Sequence, residues 1–190
     1  MPPRSTRTSL SPDPSELTEH EGSLLALILR QQPVTGYQVV RHYEQSPMGG
    51  FNTSKGSIYP AIGRLRDWGF IIAEPIPGGR RGHEQWRCTS DGEAAIRRWV
   101  QDLRDSHILQ FDPLRTKALS FELLPPDAQL DWVVDTKAQV TARLEAIEAD
   151  ESDGDGAVAR LVREHAVAQL RARLQWLDKL LLHAVKNRAG

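Results

Sequence analysis

The stretch from Ser54 to Ile71, S-K-G-S-I-Y-P-A-I-G-R-L-R-D-W-G-F-I, interleaves two kinds of side chain. Ile58, Ile62 and Leu65 recur at i, i+4 and i+7, an apolar stripe along one helix face. Ser57, Pro60 and Arg64 point largely away from that stripe, and Lys55, Tyr59 and Arg66 lie on one flank. Ammonium, hydroxyl, phenol and guanidinium groups suit phosphate oxygens and base edges. Arginine bridges two acceptors of a guanine, while lysine, serine and tyrosine serve phosphates. Two more cations, Arg80 and Arg81, sit in the turn cluster P-I-P-G-G-R-R-G. The window 54–90 carries a net +3 within a chain whose net charge is -1. Contact with a nucleic acid therefore has to be local, because the chain as a whole is not basic.

Bond-making chemistry finds no comparable constellation. The six histidines are scattered, with no H-E-x-x-H and no Cys/His cluster. G-G-R-R-G lacks the G-K-[ST] ending of a phosphate-binding loop. D-E-S-D-G-D-G resembles a calcium loop in composition only, without its spacing or its later glutamate. No enzyme activity, cofactor or metal is expected. The single cysteine, Cys88, forbids an intrachain disulfide and fits a reducing compartment. The N-terminus lacks the apolar core of a signal peptide, and the longest apolar run, Leu24 to Leu29, is too short to span a bilayer. These features predict a soluble cytoplasmic protein.

The elements that must position those residues can be read along the chain. Residues 1–15, rich in Pro, Ser and Thr with Arg4 and Arg7, predict a disordered tail. Thr18-x-x-Glu21 is a capping box that opens a helix over 18–31, with Leu24, Leu25, Ile28 and Leu29 inward, and Pro33 ends it. Thr35-x-x-Gln38 opens a short helix to about residue 45. The third helix begins at Ser54 or Ser57: Pro60 is in the first turn if Ser57 caps it and deeper if Ser54 does. Gly69 follows in a left-handed cap, with Phe70 folding back. F-I-I-A-E and H-E-Q-W-R-C read as a hairpin, with Trp86 and Cys88 on one face. Thr89 caps a fourth helix, over 90–110, carrying Ile96, Trp99, Val100 and Leu103. Asp112-Pro113 opens a short helix with Leu114, Ala118 and Phe121. Near-heptad helices follow over 126–149 and 157–187. Three helices and a hairpin with a basic, glycine-rich tip are in the order of a winged helix-turn-helix, whose third helix enters the major groove.

T-G-Y at 35–37, G-S-I-Y-P-A-I-x-R-L at 56–65, W-G-F-I after it and T-S-D-G at 89–92 together resemble the PadR family of bacterial transcriptional regulators, over about residues 18–100. The resemblance implies a mostly α protein, with an N-terminal winged helix-turn-helix over 16–95 and a C-terminal antiparallel, coiled-coil-like helical dimerisation domain over 96–190. The fourth helix is the connector. It implies a homodimeric repressor on a pseudo-palindromic double-stranded operator, released in some relatives by a small aromatic effector. The candidate DNA-binding residues are Thr35, Tyr37, Ser54, Lys55, Ser57, Tyr59, Pro60, Arg64, Arg80 and Arg81. The candidate dimer interface is Leu103, Leu130, Val133, Val140, Leu144, Leu170, Leu174, Leu177 and Leu181. Trp99, Trp132 and Trp176 are candidates to line an effector pocket, against their ordinary use as core. The wing departs from the family pattern, with Gly82-His83-Glu84 where P-R-K is usual, Trp86 for tyrosine, and Gly63 where Lys is common. The competing expectation is a protein-interaction adaptor that binds no specific DNA.

Overall fold

Thr18 closes the amino end of the first helix: its hydroxyl accepts from the Glu21 amide at 3.3 Å, and Glu21 Oε2 accepts from the Thr18 amide at 3.1 Å. This is the expected capping box, and such a cap contributes about 1 kcal/mol. It starts α1 (Glu19–Gln31) in a computed structural model that describes residues 16–45, 55–77, 84–109, 111–150 and 156–189. The expected tail over 1–15, together with Ser54, Arg80 and Arg81, lies outside the described residues. The chain divides into two units, one up to His107 and one from Ile108 onward.

In the first unit α1 buries Leu24, Leu25, Leu27 and Ile28, while Leu29 is half-buried. Leu27 falls outside the expected stripe because the helix is packed on several sides by later elements. α2 (Gly36–Gln45) begins on the second capping box, with Gln38 Oε1 accepting from the Thr35 amide at 2.8 Å and Thr35 Oγ1 accepting from the Gln38 amide at 3.2 Å. α3 (Lys55–Asp67) buries Ile58, Ala61, Ile62 and Leu65. It ends as expected: Gly69 takes φ 75°, its N–H donates to Arg66 O at 2.8 Å, and Phe70 N–H donates to Leu65 O at 2.9 Å.

β1 (Ile71–Pro75) and β2 (Glu84–Cys88) pair antiparallel, with Ile71 opposite Cys88 and Ala73 opposite Trp86. The segment between α1 and α2 adds a bridge that the hairpin reading lacks. Val34 N–H donates to Trp86 O at 3.2 Å, and Trp86 N–H donates to Val34 O at 2.7 Å. α4 (Ser90–Gln101) starts at Thr89, whose Oγ1 accepts from the Gly92 amide at 3.0 Å and donates to Gly69 O at 2.8 Å. A Cβ on Gly92 would lie 2.2 Å from Phe70 O, so T-S-D-G is the close approach of a helix start to the strand entry.

The fourth helix expected over 90–110 stops at Gln101. Asp102 turns to ψ 93°, and its N–H bonds Arg98 O and Trp99 O. Val100 and Leu103 are 61% and 77% exposed, so no burial sustains the helix past that point. α5 (Asp105–Ile108) follows as a separate short helix.

The second unit opens with α6 (Pro113–Ala118), capped by Asp112 accepting from the Leu114 amide at 2.9 Å. Phe121, expected on that helix, lies instead in a 3-10 turn over Phe121–Leu123. α7 (Pro126–Glu148) and α8 (Ala157–Ala189) carry the core. Their ion pairs run in opposite chain directions: Asp127 with Arg188, Lys137 with Asp178, Glu148 with Arg171. The helices are therefore antiparallel. Val133 and Leu177 are fully buried, with Phe121, Val140 and Ala184 beside them.

Gly92→Ala is expected to lower stability by about 2–3 kcal/mol, because the obstructing atom is backbone. Gly63→Ala, with nothing within 4 Å of the added methyl, should raise stability by about 0.5–1 kcal/mol through helix propensity. Chemical denaturation of the two variants checks the pair.

Candidate nucleic-acid interface

α3 begins at Lys55, so Ser57 lies inside the helix and Pro60 is an interior residue. The alternative in which Ser57 caps the helix and Pro60 sits in its first turn is not the one adopted. Without an N–H, Pro60 leaves the Gly56 carbonyl without the usual i+4 donor. The outward side of α3 carries Gly56, Tyr59 and Pro60, with Ser57 half-buried. Tyr59 is 55% exposed, and its ring leans on the start of α2: a Cβ on Gly36 would lie 3.0 Å from Tyr59 Cε1. Tyr37, next along, is 69% exposed. Thr35, Gly36, Tyr37 and Tyr59 are thus brought together where α2 starts against α3, with the Thr35 hydroxyl used in its own cap. Gly36, the glycine of T-G-Y, leaves by its missing side chain the space that the Tyr59 ring takes.

Arg64 keeps 41% of its side chain exposed and is shared with α1. Its Nε donates to Glu21 Oε1 at 2.6 Å, while Glu21 Oε2 also accepts from Thr18 Oγ1 at 2.7 Å. Glu21 is 1% exposed, and a buried carboxylate needs a cation, so Arg64 is drawn toward α1. Burial alone would raise the Glu21 pKa. The hydrogen bonds from Thr18 and Arg64 outweigh it and hold the carboxyl below its ordinary value. Arg66 pairs with Asp67 at 3.0 Å and Arg87 with Glu74 at 2.8 Å. Glu21 was read only as half of a capping box; periodicity carries no signal that its carboxylate reaches a second helix.

In the second unit Val133, Val140 and Leu177 are buried within the protomer, and Leu130, Leu144, Leu170, Leu174 and Leu181 are half-buried. The apolar side chains that α7 and α8 leave uncovered are others: Val134, Val158, Leu161, Val162, Leu182 and Val185. Trp99 fills the space over Gly22 in the first unit, while Trp132 and Trp176 pack on the second unit's core. Burial, with the Glu93 charge nearby, pushes the Cys88 thiol up to about 11, out of the range of a reactive thiolate. Among the described residues no His, Cys, Asp and Glu cluster is placed to hold a metal ion, and no helix is long and apolar enough to cross a membrane.

α2 packed on α3, a capped turn between α1 and α2, and a hairpin leading into α4 define a winged helix-turn-helix module. Residues 24–98 match the transcriptional regulator PadR-like family. No curated protein sequence matches the chain. Among solved structures it is similar to Bacillus subtilis PadR in complex with operator DNA, at 18% identity and TM-score 0.73, covering 89% of this chain and 99% of that one. A PadR-like transcriptional regulator from Bacillus cereus matches at 19% identity and TM-score 0.71, covering 89% and 97%. Bacillus subtilis PadR in complex with p-coumaric acid matches at 17% identity and TM-score 0.70, covering 88% and 99%. At these identities the likeness is one of fold.

The folded pKa of Glu21 lies below its unfolded value. Its pairing therefore adds stability above the unfolded carboxylate pKa, about 4.3, and loses it as pH falls through the folded value. Glu21→Gln should flatten the dependence of stability on pH across that acid range. At neutral pH Arg64→Met should destabilise, and adding Glu21→Gln to it should recover part of the loss. Denaturant melts against pH test both.

Proposed function

We propose that the chain is a homodimeric, sequence-specific DNA-binding repressor acting in the cytoplasm, with no enzyme activity of its own. The observation that carries the reading is the pair of exposed tyrosines, Tyr37 and Tyr59, set where α2 starts against α3 in a PadR-like module. A groove-facing helix needs side chains that reach bases or phosphates without being consumed by the fold, and these two qualify. Lys55, Ser54, Arg80 and Arg81 supply phosphate contacts in this reading. Ser57 and Pro60 line the same helix surface, Thr35 holds the start of α2, and Arg64 braces α3 from behind. Residues 16–95 read the operator and 96–190 hold the second copy. Bacillus subtilis PadR has been solved both with operator DNA and with p-coumaric acid. By analogy a small aromatic effector releases this repressor.

The second copy has a surface to occupy. α8 has 33 residues against 23 in α7, about 15 Å more helix at the usual rise. Val158, Leu161 and Val162 sit in its first two turns, where α7 ends, and are 73%, 61% and 52% exposed. An isologous contact across this end would bury them in pairs.

Tyr59→Phe, which keeps the ring over Gly36, should weaken operator binding up to about tenfold, ~1.4 kcal/mol, without lowering the thermal midpoint. With Lys55, Arg80 and Arg81 of each protomer on phosphates, the slope of log K against log salt should be about −5. Fluorescence anisotropy on a genomically selected operator measures both. Absence of selective binding at every salt concentration would favour the adaptor reading.

Leu161→Glu with Val162→Glu should give a folded monomer by analytical ultracentrifugation. Leu177→Ala should instead cost about 2–5 kcal/mol of unfolding free energy, because its side chain belongs to the protomer's own core.

A further inference from the structure

The outward side of α3 carries a backbone acceptor as well as side chains. In a helix the carbonyl of residue i takes the amide hydrogen of residue i+4. For Gly56 that residue is Pro60, which has none, yet α3 runs on through it from Lys55 to Asp67. The proline ring also crowds the Gly56 carbonyl, which is relieved by tilting off the helix axis. Gly56, Tyr59 and Pro60 are all exposed, so the tilt is toward solvent. Glycine has no side chain to cover the oxygen. The Tyr59 ring leans on the start of α2, against Gly36, and is 55% exposed. A bare carbonyl thus stands on the same helix surface as the phenol that the reading above gives to DNA.

At a duplex such an oxygen has a narrow choice of partners. Phosphate oxygens only accept, so they oppose it. In the major groove guanine offers N7 and O6, and thymine O4, which are acceptors again. The donors there are the exocyclic amines, N6 of adenine and N4 of cytosine. A site that places an amine at the carbonyl forms a hydrogen bond. A site that places O6 or O4 there strands two acceptors against each other, and leaving a buried polar group unpaired costs more than forming the bond gains. Lysine and arginine, which only donate, cannot make this distinction.

We propose that the Gly56 carbonyl, freed by Pro60, is a specificity determinant that reads the exocyclic amine of one adenine or cytosine in each half-site. The proposal rests on the operator-binding reading above and deepens it, by naming the base-edge group that this turn of α3 selects.

Pro60→Ala tests it, because alanine returns an amide hydrogen to the Gly56 carbonyl. The variant should have a higher thermal midpoint, since a helix-interior proline is replaced by the best helix former. It should bind a genomically selected operator about fivefold more weakly. The second arm varies the DNA: single adenines and cytosines of the operator are methylated on the exocyclic amine. This keeps the pairing hydrogen and replaces the one that faces the major groove. At one position of each half-site, methylation should weaken wild-type binding about fivefold and leave Pro60→Ala unchanged. Equal operator affinity of Pro60→Ala and wild type overturns the proposal. So does methylation that weakens both proteins by the same factor at every position. A wild-type chain that selects no operator removes the operator reading along with this one, whereas selection without the coupling between Pro60 and a base removes this inference alone.

Discussion

A carboxylate with 1% of its surface exposed has to keep its charge and find partners for it, or lose its proton. Glu21 keeps the charge by taking Thr18 on one oxygen and Arg64 on the other. The pair adds little net stability over a well-packed apolar alternative, because the Glu21 carboxylate is desolvated on forming it. Its effect is geometric. It joins α1 to α3, whose exposed side carries Tyr59 and Pro60.

The same unit uses missing side chains as spacers. Trp99 lies where a Cβ of Gly22 would be, 2.3 Å from its Cε2; Phe70 O does the same to Gly92, and the Tyr59 ring comes to the edge of contact with Gly36. These approaches set the distances from α1 to α4, from α4 to the strand entry, and from α2 to α3. Interiors at this packing density transmit small displacements instead of absorbing them. A platform tied by an ion pair and by three close approaches can therefore present Tyr37 and Tyr59 at a fixed spacing.

What was legible in the sequence was local. Both capping boxes, the Gly69 turn, the Thr89 cap and the Asp112-Pro113 start depend on neighbours within a few residues, and all five stand as read. What was not legible depends on residues far along the chain. The Val34–Trp86 bridge joins positions about fifty apart, Leu27 is buried by elements that come later, and Arg64 turns toward a carboxylate on another helix. The fourth helix ends at Gln101 because nothing covers Val100 and Leu103, a fact absent from their periodicity. Likewise a near-heptad pattern says that Val133 and Leu177 are buried without saying whether the partner helix belongs to the same chain.

The charge of the reading unit bears on how it would recognise DNA. Of the cations in the window 54–90, Arg64, Arg66 and Arg87 are bound to Glu21, Asp67 and Glu74. The Glu21 pair is part of the fold and cannot be exchanged for a phosphate without stranding a buried charge. The Arg66–Asp67 pair is exposed and the Arg87–Glu74 pair half-buried, so Asp67 is the more weakly held competitor that a phosphate could displace. Among the described residues of that window every arginine is thus paired, and the chain's net charge is -1. Hydrogen bonds and shape fit supply the selectivity that phosphate contacts do not. The exposed tyrosines at the start of α2 and on α3 offer both, a phenol that donates and accepts and a flat ring that packs on sugar or base. On this reading selectivity rests on those two tyrosines and not on the chain's net charge.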